Sequence, residues 1–370
     1  MDYPKEYLVS TAKQFRLEGR VLDVRLYGSG RINDTYIVAI ESDREEKVIL
    51  QRINNHVFQH PDRIMSNMRF VLDHINKRIA YERQSNPRIT WKVPGIFPTH
   101  DGKDYFLDDK GSFWRVFSFI SAFAGDTITG ISHAKEIGFG IGRFHDLLSN
   151  LATEKLYDIL EGFHITPLYI QTYEKTIMSR RLSEDSDEIH YCMDFIRDRR
   201  EWASVLEHAK KAGLLLVRPI HGDPKSENIM IDDKTGKAIG VIDMDTVMPG
   251  LVHYDIGDCL RSCCNTSNEE GSRLGEVSFR IDYCRAVLEG YINSAGSFLT
   301  DNDFRFMYDA IRLIPFELGL RFFTDYLKGN IYFKVNKPDD NLKRALVQFR
   351  LTESIEQQAD EIRLIISDLR

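Results

Sequence analysis

The sequence predicts an α+β protein of two unequal lobes, a small antiparallel β lobe followed by a larger helical one. Three observations carry this. Residues 21–53 contain three apolar runs in succession, VLDVRL, TYIVAI and VILQRI, separated by a glycine-rich turn and a charged turn. Beyond residue 120 the apolar spacing changes to the three-to-four repeat of helices, as in HAKEIGFGIGRFHDLLSN and DEIHYCMDFIRDRREWASVLEHAKKAG. One short hairpin, NIMIDDKTGKAIGVID at 228–243, interrupts the helices. The boundary falls near Phe119, giving lobes of 1–119 and 120–370.

In order, PKEYLVSTAKQF reads as a short opening helix with Pro4 near its first turn. Leu22, Val24 and Leu26 alternate with Asp23 and Arg25, the period of a half-buried strand. A meander of hairpins follows, then a helix over Asp62–Ile75. Two further strands, around 105–107 and 113–119, flank the turn DDKG. At the far end, Leu342, Leu346, Phe349, Ile355, Ala359, Ile362, Ile366 and Leu369 make one amphipathic helix over 340–370, packed on its own core or on a second copy.

The chain has 370 residues, 42% of them hydrophobic and 28% charged, enough for a substantial core. A net charge of −7 argues against nucleic acid as the main partner, because phosphate backbones need a basic face. No apolar run is long enough to span a bilayer, and the opening residues have no signal-peptide core. Five cysteines fit reduced thiols and a cytoplasmic location. Cys259, Cys263 and Cys264 match no zinc spacing and read as small hydrophobes.

The chemistry concentrates in PIHGDPKSENIMI, residues 219–231. In an antiparallel hairpin the first residue and the last are neighbours, so Asn228 and Asp243 meet at its open end. His221 and Asp223 lie just upstream. Mg2+ takes oxygen ligands, commonly one or two carboxylates plus substrate phosphates. Asn228 and Asp243 offer such oxygens, and Asp223 is free to accept a proton from a hydroxyl. Phosphoryl transfer needs this equipment, since the protein mainly positions groups and neutralises charge. Asp and Asn also populate ordinary turns, and a histidine is often a satisfied core group. The whole pattern, His-x-Asp-x-x-x-x-Asn before a hairpin ending in Asp, is more specific than any one member.

HGDPKSEN with VIDMDT resembles the catalytic and metal-binding segments of the aminoglycoside phosphotransferase and choline kinase group, more distantly related to protein kinases. The resemblance implies a protein-kinase-like two-lobe fold with ATP and Mg2+ as cofactors. It implies that Asp223 is the catalytic base, that Asn228 and Asp243 are metal ligands, and that His221 braces the loop. Lys225 resembles a lysine near the transferring phosphate, or is a solvated surface group. Asp245 assists metal or substrate, and Asp255 either hydrogen-bonds the loop or caps a helix. GSGRINDTY, with Gly28, Ser29 and Gly30, resembles a phosphate-covering loop, and Arg31 within it is a candidate phosphate or sugar contact. The third strand departs from the kinase pattern. Gln51 stands in the register of the usual lysine with Arg52 beside it on the opposite face, and the following helix offers no glutamate. Both are candidate nucleotide contacts, as are Phe119 and Ile120 where FWRVFSFISA leads into the adenine-binding connection.

A narrower resemblance covers nearly the whole chain. GSGRINDTY, ILQRIN, WRVFSFI, GFHITP, HGDPKSENIMIDDKTGKAIGVIDMDTVMPG and LGLRFFTDYLKGNIYFKV run in the order found in bacterial N-acetylhexosamine 1-kinases. It implies transfer of the ATP γ-phosphate to the anomeric hydroxyl of N-acetylglucosamine or N-acetylgalactosamine. Arg321 and Tyr332 would meet the sugar beside Asp223. The expected partner is a small-molecule sugar, with no nucleic acid, membrane or obligate protein partner. The alternatives are a kinase for another small alcohol and a non-catalytic nucleotide-binding regulator.

Overall fold

The computed structural model describes residues 3–28, 32–41, 45–122, 128–179, 186–267 and 274–370. The fold is α+β, with an antiparallel sheet in its N-terminal part and helices in its C-terminal part. Helix α1 (Lys5–Ala12) precedes the meander β1 (Arg20–Leu26), β2 (Asp34–Glu41) and β3 (Glu45–Ile53). Helix α2 (Pro61–Ser85) and strands β4 (Ile96–Phe97), β5 (Phe106–Leu107) and β6 (Phe113–Ser118) follow. The sheet order is β1-β2-β3-β6-β4, with β5 also on β6, and every pairing is antiparallel.

The helical part contains α3 (Ile131–Leu148), α4 (Thr166–Ser179), α5 (Asp187–Arg199) and α6 (Val205–Lys211). Four short strands come next: β7 (Arg218–Ile220), β8 (Ile229–Ile231), β9 (Ala238–Val241) and β10 (Met248–Gly250). Strands β8 and β9 form the expected hairpin, and β7 pairs with β10. Helices α7 (Val252–Cys263), α8 (Ile281–Ala295), α9 (Asp301–Leu327), α10 (Asp340–Gln357) and α11 (Ala359–Leu369) complete the chain. No helix among the described residues is long and apolar enough to cross a membrane.

Alternation in the sheet sorts its faces. Val48 and Leu50 pack with α1, Val24 and Trp114. Ile49 and Ile53 point the other way, into the core shared with α2, α3 and the hairpin. Three sequence expectations shift. In β1 only Val24 is buried: a bulge between Val21 and Asp23 breaks the alternation at the exposed Leu22, and Leu26 is exposed at the end of this edge strand. Helix α2 runs ten residues past Ile75 through polar sequence, with Ile79 its one further buried apolar residue. The C-terminal segment is two helices, α10 and α11, separated at Gln358, whose amide donates to the carbonyls of Phe279 and Ser354 at 3.0 Å each. Its buried apolar residues join the chain's own cores.

All five cysteines are buried. Asn67 of α2 fastens the sheet side to the helical side. Its amide donates to the Val247 and Tyr157 carbonyls at 2.8 Å each, and its oxygen accepts the Tyr157 N–H at 2.9 Å.

Candidate active site

The loop between β7 and β8 is built around one buried carboxylate. Asp255 of α7 accepts the backbone N–H of His221 at 2.6 Å and of Gly222 at 2.9 Å, while His145 of α3 meets it at 2.8 Å. Burial pushes this carboxyl up in pKa, but the hydrogen bonds and charge facing it outweigh that and hold it below the ordinary value. Asp255 therefore braces the loop; the helix cap position belongs to Leu251.

His221 is the second brace. Its Nε2 lies 2.9 Å from the Ile242 carbonyl, which can only accept, so Nε2 carries the proton. Nδ1 is then left to accept the Asp223 N–H at 3.3 Å. One imidazole thus ties the loop to the end of β9. Gly222 is required by its φ of +85° and by space, since a Cβ there would stand 2.6 Å from the Thr246 carbonyl oxygen. Gly222→Ala is expected to cost about 1–3 kcal/mol of stability, read as a lowered urea midpoint with an unchanged m-value.

Asp223 is half-buried and faces Lys225, whose Nζ lies 2.9 Å from its carboxylate. Burial alone would lower the Lys225 pKa, but Asp223 outweighs it and holds the lysine charged. Lys225 is thus a partner of Asp223, not a free surface cation. The Asn228 amide nitrogen donates to the Asp223 backbone carbonyl at 2.7 Å. Its side-chain oxygen takes no partner among the described residues.

The hairpin brings the second carboxylate back as the sequence requires. Ile242 N–H donates to the Asn228 carbonyl at 2.9 Å. The next residue, Asp243, takes a left-handed conformation, φ 60° and ψ 52°, which turns the chain out of β9. It is exposed to solvent, and its side chain accepts no hydrogen bond among the described residues. The protein around it displaces part of its hydration, and that loss together with the carboxylates of Asp245 and Asp223 pushes its pKa up to about 7. An uncommitted, crowded carboxylate beside an uncommitted amide oxygen suits a hard cation.

Other expected contacts are placed as follows. Ser29, Gly30 and Arg31 lie outside the described residues. Gly28 has φ +72° with open space around it, and Tyr27 before it meets the Phe119 ring edge-on at 5.8 Å between centroids. Phe119 and Ile120 are half-buried directly after β6. Gln51 is tied to Thr35 (2.9 Å) and Arg115 (2.9 Å). Arg52, expected among the nucleotide contacts, is engaged on the α1 face instead, bonded to Asp34 at 2.8 Å and lying over the Tyr3 ring. The reason is the two-residue alternation, which turns Arg52 away from Gln51's side of the sheet. Asp245 is buried and bonded to Arg115 and Asn33.

Arg321 lies inside a box of aromatic rings, its guanidinium carbon 5.3, 5.1 and 5.6 Å from the centroids of Phe163, Tyr169 and Phe333. Among the described residues it makes no ion pair and no hydrogen bond, so its donors are uncommitted. One turn earlier, Glu317 accepts from Thr166 (2.6 Å) and pairs with His164 (2.9 Å). The other nitrogen of His164 lies 3.4 Å from the Gly222 carbonyl, linking the arginine's helix to the loop of Asp223. Tyr332 is exposed on a loop held by Asp325, which accepts the N–H groups of Ile331, Tyr332 and Phe333 at 2.9–3.0 Å. Sequence reasoning missed Arg115, His145, His164 and Asp325. Only Arg115 had a signal, a charge on a strand otherwise read as buried and aromatic.

A family model described as a phosphotransferase enzyme family (APH) matches residues 23–292, well over half the chain. The chain belongs to that family. Solved structures across the full length of this phosphotransferase agree in fold. A microcompartment-associated aminopropanol kinase is 16% identical, covering 97% of this chain and 98% of its own, with a TM-score of 0.59. A spectinomycin phosphotransferase in complex with ADP and spectinomycin is 11% identical, covering 100% and 99%, with a TM-score of 0.56. An amicoumacin kinase in complex with AMP-PNP and Ca2+ is 13% identical, covering 96% and 94%, with a TM-score of 0.57.

Proposed function

We propose that this phosphotransferase moves the γ-phosphate of ATP to the anomeric hydroxyl of an N-acetylhexosamine, N-acetylglucosamine or N-acetylgalactosamine. The nucleotide lies between the sheet lobe, 1–119, and the helical lobe, 120–370. Use of a triphosphate nucleotide and a divalent ion fits the ligands of the spectinomycin and amicoumacin enzymes. Asn228 and Asp243 would hold Mg2+, which when bound neutralises phosphate charge. Phosphate oxygens of the nucleotide would supply further ligands, since Mg2+ commonly takes one or two carboxylates plus substrate phosphates.

Asp223 orients the acceptor hydroxyl and takes its proton as the oxygen attacks phosphorus in line. Lys225, 2.9 Å from Asp223, sets a positive charge beside that carboxylate and the transferring group. The new bond is between oxygen and phosphorus, so the anomeric configuration is kept.

The observation that carries the choice of acceptor is the unpaired guanidinium of Arg321. It offers donors to the carbonyl of an acetamido group and to sugar hydroxyls, and the surrounding rings and Tyr332 offer faces to a pyranose. An ammonium-bearing acceptor meets repulsion there. The nearby acidic groups that would welcome it are already engaged, Glu317 with His164 and Asp258 with Arg261. This disfavours aminoglycosides and amino alcohols, the main rival acceptors.

The test is ADP release with a panel of free sugars, aminoglycosides and amino alcohols, followed by location of the phosphate. Turnover restricted to amino alcohols, or phosphate at C6, overturns the assignment. Mg-ATP binding with no turnover on any acceptor leaves a regulatory nucleotide-binding protein as the better reading. Arg321→Met is expected to raise the acceptor KM about 10- to 100-fold through loss of charge-assisted hydrogen bonds, with nucleotide affinity unchanged.

A further inference from the structure

Strand β3 carries no lysine at the position of Gln51, and the one glutamate of α2, Glu82, is paired with Arg143 instead. Gln51 stands on the strand, and Met65 and Met68 stand on the helix side. The missing cation is present one strand over. Arg115 of β6 is directly opposite Gln51 in register. Its side chain is 1% exposed, and one terminal nitrogen bonds both oxygens of Asp245 at 2.6 and 2.7 Å. The Nε atom donates to the Gln51 side-chain oxygen at 2.9 Å, and the second terminal nitrogen faces the Met68 sulfur at 3.4 Å. The guanidinium lies 4.8 Å from the Phe117 ring centroid.

The network reaches further in two directions. Asp245 also accepts from Asn33 at 2.7 Å, and the Asn33 oxygen accepts the Asn54 N–H at 3.0 Å. Asn33 stands immediately before β2. Gln51 donates to Thr35 Oγ1 at 2.9 Å, fastening β3 to β2. Asp245 itself lies in the short 3-10 turn that begins after Asp243. One polar cluster therefore joins Asn33, strands β2, β3 and β6, and the segment bearing the candidate metal carboxylate.

We propose that Arg115 is a positioning residue for the Mg-nucleotide, replacing the strand lysine and helix glutamate with a strand arginine and an aspartate of the metal segment. It does not reach the nucleotide, because its guanidinium is enclosed. It fixes the segment bearing Asp243 against Asn33, the residue before β2, by gripping Asp245, with Gln51 as a neutral acceptor that steers the fork. A lysine in place of Gln51 would set a second cation against the guanidinium, which explains why this strand carries glutamine. An isolated buried ion pair stabilises little compared with apolar packing. This pair joins two separate segments of the cleft, and that is where positional control is needed.

The inference rests on the reading of the cleft as a Mg-nucleotide site. The test moves the cation back. Arg115→Gln and Gln51→Lys are each expected to raise the KM for Mg-ATP at least tenfold, with the acceptor KM unchanged. The double variant Gln51→Lys/Arg115→Gln is expected to recover at least tenfold over Arg115→Gln alone, because the introduced ammonium then faces Asp245 without a competing charge. Arg115→Lys keeps the charge without the fork; it folds even where Arg115→Gln does not, and raises the KM several-fold.

Single variants with wild-type KM for Mg-ATP overturn the proposal. So do losses in the double variant equal to the product of the singles, or melting temperatures that fall while the KM stays constant. Wild-type protein that fails to bind Mg-ATP in calorimetry overturns the nucleotide reading, and this inference with it. Wild-type binding with unaffected variants overturns this inference alone.

Discussion

Asp223→Asn is expected to lower kcat by at least about a hundredfold, the scale of a lost general base, while nucleotide affinity stays within a few-fold of wild type. The substitution is nearly isosteric, and the loop does not depend on the side chain it alters. Asn228 is held by the backbone carbonyl of Asp223, and the loop itself by Asp255 and His221. What changes is proton acceptance and the charge opposite Lys225. Single-turnover rates at saturating sugar, with calorimetry for the nucleotide, separate the two quantities. A rate within tenfold of wild type removes Asp223 as the base.

Asp243→Asn is expected to be as severe for a different reason. It deletes a carboxylate that accepts no hydrogen bond among the described residues, so divalent-dependent nucleotide binding and turnover should fall together. A loss of at least about a hundredfold in kcat matches weakened hold on the divalent ion that would stabilise the reacting phosphate. The same residue gives a pH signature in metal-free protein. Its folded pKa is raised, to about 7 from an ordinary 3.8. The folded state therefore binds a proton more tightly than the unfolded chain does. The stability this contributes is fully present below about pH 4 and is lost as pH rises through about 7. Melting temperatures of wild type relative to Asp243→Asn should fall across that window. Added Mg2+ should oppose the fall at neutral pH. A difference that stays flat from pH 4 to 8 refutes the assignment of that raised value to Asp243.

The loop and hairpin were legible because their chemistry is local. His221, Asp223 and Asn228 share one turn, and antiparallel pairing alone returns Asp243 to Asn228. The order of strands β1 to β3 was legible for the same reason. The partner of Arg115 was not, since Asp245 lies 130 positions away in sequence. An arginine on a buried strand face announces that it has a partner without naming it. Register explains the misplaced Arg52, and a bulge explains the exposed Leu22. The break at Gln358 was hidden because apolar residues recur at helical spacing on both sides of it.

The grip of Asp325 on residues 331–333 has a consequence for how this protein can be altered. The carboxylate holds three main-chain N–H groups, and the Asn341 amide closes on it at 3.0 Å. None of these contacts reads a side chain of the loop. Ile331 and Tyr332 are therefore exchangeable without disturbing the backbone that presents them. The helical lobe owns a cassette whose shape is written in main-chain atoms and whose chemistry is written separately in side chains. Retailoring it is a matter of changing letters on a fixed frame.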